Sequence, residues 1–395
     1  MKSKEEQDVA LKILHTADWH LGRSFPAFTE EDERKLTRAR VDAVQKLLGI
    51  AESYQVHAVL CAGDLFDDPA PDEKWWTALL GVFARRDWKN RPMFLLPGNH
   101  DPLWPNSVWA EDHPFRRGLP SWVHVIDRDD FEFSLSDEAV LYAAPCRSKA
   151  GSDDLALRLP ARQVGDRRIR IGLVHGQTFD IPGHQTNFPI AEDAAWQRGL
   201  NYLALGDNHG YKEFPPKTCP AVYPGTPEAD TFQKTDVGVA VVVFFTRQGS
   251  PSIQTEKVGR WRWREVCCRS VADLEQLRKE DLKDCVLRLT FDMDVSLRER
   301  ERVDAIVQEL KGTEAAHGKV GVLQWEEGGL RLATSGEDFS GYELPEVLKT
   351  VVAQLQAEAD AHDGNVARRA LYHLYTTLRG SPAAVRTAER GTAAK

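Results

Sequence analysis

No run of about 18 consecutive uncharged apolar residues occurs in this 395-residue chain, so no segment reads as a membrane-spanning helix. The opening residues MKSKEEQDVA are charged, and lack the apolar stretch and small-residue cleavage site of a secretion signal. Cysteine is scarce and unpatterned: six residues, at 61, 146, 219, 267, 268 and 285, with no Cys-x-x-Cys spacing. That argues against a zinc knot and a disulfide framework, and for reduced thiols in apolar strands. The expected setting is cytoplasmic, with no membrane. Positive charge is also short, with 51 Lys and Arg against 60 Asp and Glu and a net charge of −9. Contact with a polyanion then needs a local basic patch or a partner's surface.

What is present is an ample core, 42% hydrophobic, in a chain long enough for two or three domains of roughly 100–200 residues each. No internal repeat is found. Residues 1–10 read as an N-terminal extension. From residue 11 to 258 strand patterns alternate with helices: Thr29 caps an amphipathic stretch with Leu36, Ala43, Val44, Leu47 and Ala51 on one face, ahead of the apolar run Val56 to Cys61. The runs Trp122 to Ile126, Phe131 to Leu135, Val140 to Ala144, Val237 to Phe245 and Ser252 to Val258 read as strands of a second sheet. The expected fold is α/β (α+β), a two-sheet β-sandwich flanked by helices.

At residue 259 the pattern restarts. Strands at Trp261 to Cys268, Val286 to Phe291 and Gly321 to Trp325 are interleaved with a short helix, Val271 to Leu277, and a helix opening on the capping box Ser296-x-x-Glu299. This predicts a small α+β domain over 259–333. Residues 334–380 read as helices with apolar stripes, Leu344, Val347, Leu348, Val351, Val352 and Leu355, then Leu371, Leu374, Tyr375 and Leu378. Such stripes pack on their own domain or dock on a partner. The small, polar tail 381–395 reads as disordered.

Chemistry concentrates where strands should end. Asp18-Trp19-His20 follows Leu11 to Leu14, and Gly63-Asp64-Leu65-Phe66-Asp67 follows Val56 to Cys61. Gly98-Asn99-His100-Asp101 follows Met93 to Leu96, His175-Gly176 follows Ile169 to Val174, and Gly206-Asp207-Asn208-His209 follows Tyr202 to Leu205. In α/β sheets, loops beyond the carboxyl ends of strands converge on one site. The mixed oxygen and nitrogen donors suit Mn, Fe or Zn, with Mg also open. Seven candidate ligands exceed the needs of one tetrahedral ion, whereas two ions roughly 3.5–4 Å apart and sharing a carboxylate would use them all. Single motifs are weak, since an Asp-x-His is nearly a chance event in a chain with 12 His. Their joint occurrence is not.

The strings HTADWHLG, GDLFD and GNHD, the later His175-Gly176 and the final Gly206-x-x-His209 together resemble the calcineurin-like metallophosphoesterases. Within them the likeness is to the SbcD-type DNA double-strand-break-repair nuclease subunit, and Tyr223-Pro224-Gly225-Thr226-Pro227-Glu228 resembles a loop of that group. The resemblance implies that Asp18, His20 and His209 hold a first metal, that Asp64 bridges, and that Asn99 and His175 hold a second, with Mn the expected ion. It implies that His100 faces the scissile phosphate, donating to the leaving oxygen or stabilising charge on the phosphoryl group, and is oriented by Asp67. It also implies DNA as substrate, a coiled-coil ATPase of the SbcC kind as partner, a homodimer, and a capping role for 259–333. Asp207 departs from the pattern, which has His there. Direct ligation and a supporting role beside His209 are both open to it.

Arg23, just past the first motif, is a candidate phosphate contact. Other basic candidates are Arg34, Lys35, Arg38 and Arg40; Arg85, Arg86, Lys89 and Arg91; Arg116 and Arg117; and Arg260-Trp261-Arg262-Trp263-Arg264, where alternation predicts Trp inward and Arg outward. His15, His57 and His124 lie in strand patterns and read as core residues, and His113 and His184 as loop residues. Trp104, Val108, Trp109 and Phe115 are either core or a dimer surface. Two rival functions share these motifs: a phosphoesterase for small molecules or nucleotides, and a scaffold that has lost catalysis.

Overall fold

Each apolar run ahead of a motif becomes a strand buried on both faces. The computed structural model describes residues 9–178, 187–214, 220–234, 236–313, 316–333, 339, 342, 344–359 and 364–380. His184, Cys219 and the tail 381–395 lie outside the described residues. The chain divides into two units, Met1–Trp261 and Arg262–Lys395.

In chain order the first unit contains β1 (Val9–Thr16), α1 (Glu30–Ser53), β2 (Ala58–Cys61), α2 (Glu73–Phe83), β3 (Met93–Leu95), β4 (Val123–Val125), β5 (Phe131–Ser136), β6 (Ala139–Ala143), β7 (Ile169–His175), β8 (Tyr202–Gly206), β9 (Lys212–Phe214), β10 (Ala221–Tyr223), β11 (Val239–Thr246) and β12 (Pro251–Lys257). They form two six-stranded sheets, β12-β11-β1-β2-β3-β4 and β5-β6-β7-β8-β10-β9. The strands that carry the motifs, β1, β2 and β3 in one sheet and β7 and β8 in the other, run parallel to one another within each sheet, so their carboxyl ends lie on one side of it.

The sandwich follows from side-chain alternation. Leu11, Ile13, Ala58, Leu60 and Phe94 point between the sheets, where they meet Leu141, Ile171, Tyr202 and Val243. Leu14, Val59, Cys61 and Leu95 point the other way, onto Val44, Leu47 and Leu48 of α1 and Leu79 and Phe83 of α2. The outer face of the second sheet, Val140, Val174, Leu203 and Leu205, is covered by Leu155, Leu159 and Ile190. Strands covered on both sides need apolar residues at every position, which is why these runs show no polar alternation. Thr29 caps α1, its side chain accepting from the Asp32 amide.

Three strands expected in the second sheet belong to the first. Val123–Val125 pairs with β3, and β11 pairs with β1 and β12. His57 is exposed, its Nδ1 accepting from the Lys12 amide at 2.9 Å, so it is not a core residue. Val108, Trp109 and Phe115 are buried, which removes them from any surface, while Trp104 is 38% exposed. His113 caps the short helix Pro114–Gly118, accepting from the Phe115 amide.

The second unit has a parallel three-stranded sheet, Arg262–Cys268, Leu282–Phe291 and Val320–Trp325. Helix Leu297–Lys311 packs on it behind the Ser296–Glu299 capping box. Helices Glu346–Ala359 and Asn365–Gly380 place Val352, Ala359, Leu371 and Tyr375 in the same apolar cluster as this sheet. Val347 and Val351 on the former remain exposed, at 74% and 39%. Among the described residues no helix is long and apolar enough to cross a membrane.

His15 lies fully buried between the sheets, 2.9 Å from the Tyr202 hydroxyl, and burial lowers its pKa to about 3. The unfolded chain therefore binds a proton that the folded one refuses, so His15 favours folding above pH 6.5 and opposes it increasingly as pH falls toward 3. At pH 5 this amounts to roughly 2 kcal/mol. Urea unfolding of wild type and His15→Gln at pH 8 and pH 5 should show the stability gap between them narrowing by about that much at pH 5. A gap independent of pH would remove the effect.

Candidate metal centre

Left-handed backbone gathers the site. Asp18, His20, Asp64 and Asp207 have φ of 55°, 43°, 54° and 99°, a conformation that costs a non-glycine residue about 1–3 kcal/mol and persists where surrounding structure enforces it. The enforcing contacts are main-chain bonds between the first two loops: Asp18 N to Gly63 O, His20 N to Asp64 O, Leu21 N to Leu65 O and Asp67 N to Leu21 O, all within 3.1 Å. The Asp64 carboxylate accepts from the His100 amide at 2.9 Å, and Asp18 from the Asp207 amide at 3.0 Å. Gly98 is required for this closeness, since a Cβ there would overlap the Asp64 carboxylate and main chain. Asp101, fully buried, accepts from the Gly98 and Phe66 amides and locks the GNHD turn to the second loop.

Two clusters result. In the first, Asp18, His20 and His209 offer donor atoms within 4.8 Å of one another. The Nδ1 of His20 faces the Asp67 carboxylate at 3.0 Å, and the Nδ1 of His209 faces Asp230 at 3.1 Å. With the proton on each Nδ1, the tautomer that these carboxylates favour, the two Nε2 lone pairs converge 3.0 Å apart. Converging lone pairs repel unless a cation lies among them, so this donor set fits a metal ion. In the second cluster, Asp18, Asp64 and His175 come within the same reach. His175 donates from Nδ1 to the Ala62 carbonyl at 2.8 Å, and its Nε2 lies 2.7 Å from Asn99 Oδ1 and 3.7 Å from the Asp207 carboxylate.

Asp18 belongs to both clusters, and Oδ2 of Asp64 also lies between them, 3.6 Å from His20 Nε2 and 3.4 Å from His175 Nε2. Asp18 and Asp64 are buried. Burial pushes the Asp18 carboxyl up to about 6. Burial acts on Asp64 in the same sense, but His175 and His20 beside it hold its carboxyl below the usual range, while His175 is raised well above an ordinary imidazole by Asp64, Asp18 and Asp207 against its own burial. The cluster thus draws positive charge onto itself, which divalent cations supply more completely than protons.

The calcineurin-like phosphoesterase family matches residues 11–244. The chain belongs to this family. It is 26% identical over 232 residues to an uncharacterized metallophosphoesterase, YhaO, of Bacillus subtilis, covering 57% of this chain and 55% of that protein. It is 36% identical over 94 residues to a subunit of the nuclease SbcCD from the same organism, covering 23% and 22%, and 35% identical over 94 residues to the DNA double-strand break repair protein Mre11 of Methanosarcina mazei, covering 24% and 14%. The chain spans about half the length of the first of these relatives and less of the others.

Within this calcineurin-like phosphoesterase all seven candidate ligands, Asp18, His20, Asp64, Asn99, His175, Asp207 and His209, lie in or beside the two clusters. Asp67 faces His20 as well as the His100 expected from the sequence. Its carboxylate bonds His20 at 3.0 Å and stands 3.8 Å from His100 Nδ1, which instead lies 3.3 Å from the Asp67 carbonyl. His100 packs edge-on against His20, ring centroids 4.8 Å apart, with a side chain 44% exposed. Arg23 pairs with Asp230 at 3.4 Å and reaches Asp67 at 4.0 Å. Arg40, read from sequence as part of a basic patch, is buried and pairs with Asp230 at 3.3 Å. Sequence reasoning missed Asp230. A signal for Arg40 was present: it falls on the apolar stripe of α1, between Leu36 and Val44.

Protein stripped with chelator and reloaded with Mn should hold near two ions per chain by elemental analysis, and Asp64→Ala fewer than one. Two tightly held ions in that variant would exclude Asp64 as the shared ligand.

Proposed function

We propose that this chain is the nuclease subunit of a DNA-repair assembly, a binuclear metal-dependent phosphodiesterase acting with a coiled-coil ATPase. The observation that carries the reading is the shared Asp64 oxygen between two His-containing clusters, with His100 exposed beside them. Asp18, His20, His209 and Asp64 would hold one ion, and Asp64, Asn99, His175 and Asp207 the other, Mn being the expected metal. Bound divalent cations there supply Lewis acidity and counter-charge to a phosphodiester.

The chain's own groups do the rest. The Asp67 carbonyl anchors His100 Nδ1, and the ring edge against His20 fixes its plane, so Nε2 is the atom left to protonate a leaving alkoxide. Asp67 acts on His100 through position and on His20 through its hydrogen bond. Arg23, 31% exposed and paired with Asp230, would be the side chain to meet a phosphate oxygen.

Likeness to the nuclease subunits over about a quarter of the chain supports DNA as substrate, and the separate unit 262–395 supports a substrate larger than a small ester. Exposed Val347 and Val351 on helix Glu346–Ala359 support docking of a helical partner. A homodimer is part of the same proposal.

The test is digestion of linear duplex DNA with added Mn by wild type and His100→Ala, with and without the ATPase, beside hydrolysis of an aryl phosphodiester. On DNA the variant should lose about 10²–10⁴-fold in kcat. On the aryl ester, whose leaving group needs no proton, it should lose far less. Hydrolysis of aryl or cyclic diesters without cleavage of DNA favours the small-molecule reading, and absence of both with no bound metal favours a scaffold.

A further inference from the structure

Behind His209 lies a buried ion-pair chain that the ligand motifs do not include. Oδ2 of Asp230 faces three groups: His209 Nδ1 at 3.1 Å, Arg40 Nη2 at 3.3 Å and Arg23 Nη1 at 3.4 Å. The side chains of Asp230 and Arg40 are each only 1% exposed. Two guanidinium groups and an imidazole thus surround a carboxylate that is almost out of solvent. Arg40 also donates from Nη1 to the carbonyl of Trp19 at 2.9 Å, and Trp19 is the residue between Asp18 and His20. One guanidinium from the interior of α1 therefore ties the loop of the first motif to the carboxylate behind the last. Taking two charges out of water is costly unless the pair is well satisfied. An apolar residue at position 40 would continue the helix stripe without that cost.

We propose that Asp230, clamped by Arg40, is a positioning residue for His209: it holds the Nδ1 proton and aims Nε2 into the first cluster, setting metal affinity there without touching the ion. The proposal rests on the two-cluster reading of the site. A carboxylate behind a ligating imidazole fixes its tautomer and strengthens it as a donor, and loss of such support typically costs about 10–100-fold in metal affinity. The second cluster is built differently, since His175 is backed by the Ala62 carbonyl. Loss of Asp230 should therefore be felt on one side of Asp64 only.

Calorimetric titration of Mn into the chelator-stripped full chain reads this directly. His20→Gln identifies the step that belongs to the first cluster, and Asn99→Ala the step that belongs to the second. Asp230→Asn, which keeps the shape and an acceptor oxygen but not the charge, should weaken the first-cluster step about 10–100-fold and leave the other within about twofold. Two unchanged steps, or equal weakening of both, overturns the proposal, the latter because it reports general loosening around an unpaired Arg40. Should circular dichroism show Asp230→Asn unfolded, Asp230→Glu retains the charge against Arg40 while displacing the oxygens, and the same selective weakening is expected of it. An Asp230→Glu chain that binds as wild type overturns the assignment. A wild-type chain that takes up no Mn fails the two-cluster reading itself, and the proposal with it.

Discussion

A buried carboxylate that must be shared sets the terms for the rest of this molecule. Asp64 sits almost out of solvent with His20 on one side of its Oδ2 and His175 on the other, and an ionised group in that position is costly unless positive charge meets it. The left-handed backbone at Asp18, His20, Asp64 and Asp207, the glycine that lets the GNHD turn close over Asp64, and the amide bonds across loops all hold anionic and imidazole donors closer than they would choose. Strain of this kind is stored where function requires it and is borne by the sandwich underneath, whose strands are packed on both faces.

The position of the site was legible because it depends on local patterns. An apolar run followed by Asp, His or Asn marks the carboxyl end of a strand, and five such ends are sufficient to name candidate ligands, whose roles the family resemblance implies. Strand partnership was less legible. Val123–Val125, β11 and β12 have the composition of second-sheet strands yet join the first, because pairing is decided by packing between segments far apart in sequence, and side-chain periodicity carries no record of the neighbour. His57 shows a smaller version of the same limit: one residue ahead of β2 it faces water and serves the Lys12 amide.

The support of the ligands was the least legible part. Asp67 lies three residues after Asp64, a spacing that brings it near both His20 and His100. The choice falls to His20 because the second loop zips against Leu21 and carries the Asp67 carboxylate to the His20 ring. Asp230 and Arg40 are far apart in the sequence, and neither type is rare. Only the charge on the apolar stripe of α1 hinted that a buried partner was needed, and a stripe cannot say which acid supplies it.

The distribution of cations around the site bears on how a phosphodiester could approach a chain of net charge −9. Arg40 is committed to Asp230 and the Trp19 carbonyl, Arg23 to Asp230 and Asp67, and Lys149 stands 3.6 Å from Asp68, so each of these cations is matched by a carboxylate. Asp18, Asp64 and Asp207 add acidic groups at the centre. Coulomb's law then gives the protein groups alone little attraction for phosphate at the mouth, since pairs of opposite sign cancel beyond a few ångströms. On the proposed reading the metals are therefore part of the receptor for the phosphate as well as of the chemistry. If DNA is the substrate, as proposed, its long-range capture needs an extended positive surface and would fall to a patch outside the centre or to a partner. On that reading an acidic chain can carry a centre suited to phosphodiesters, because positive charge is needed at one point and the metal ions held by the ligand cage, rather than the surface, would supply it.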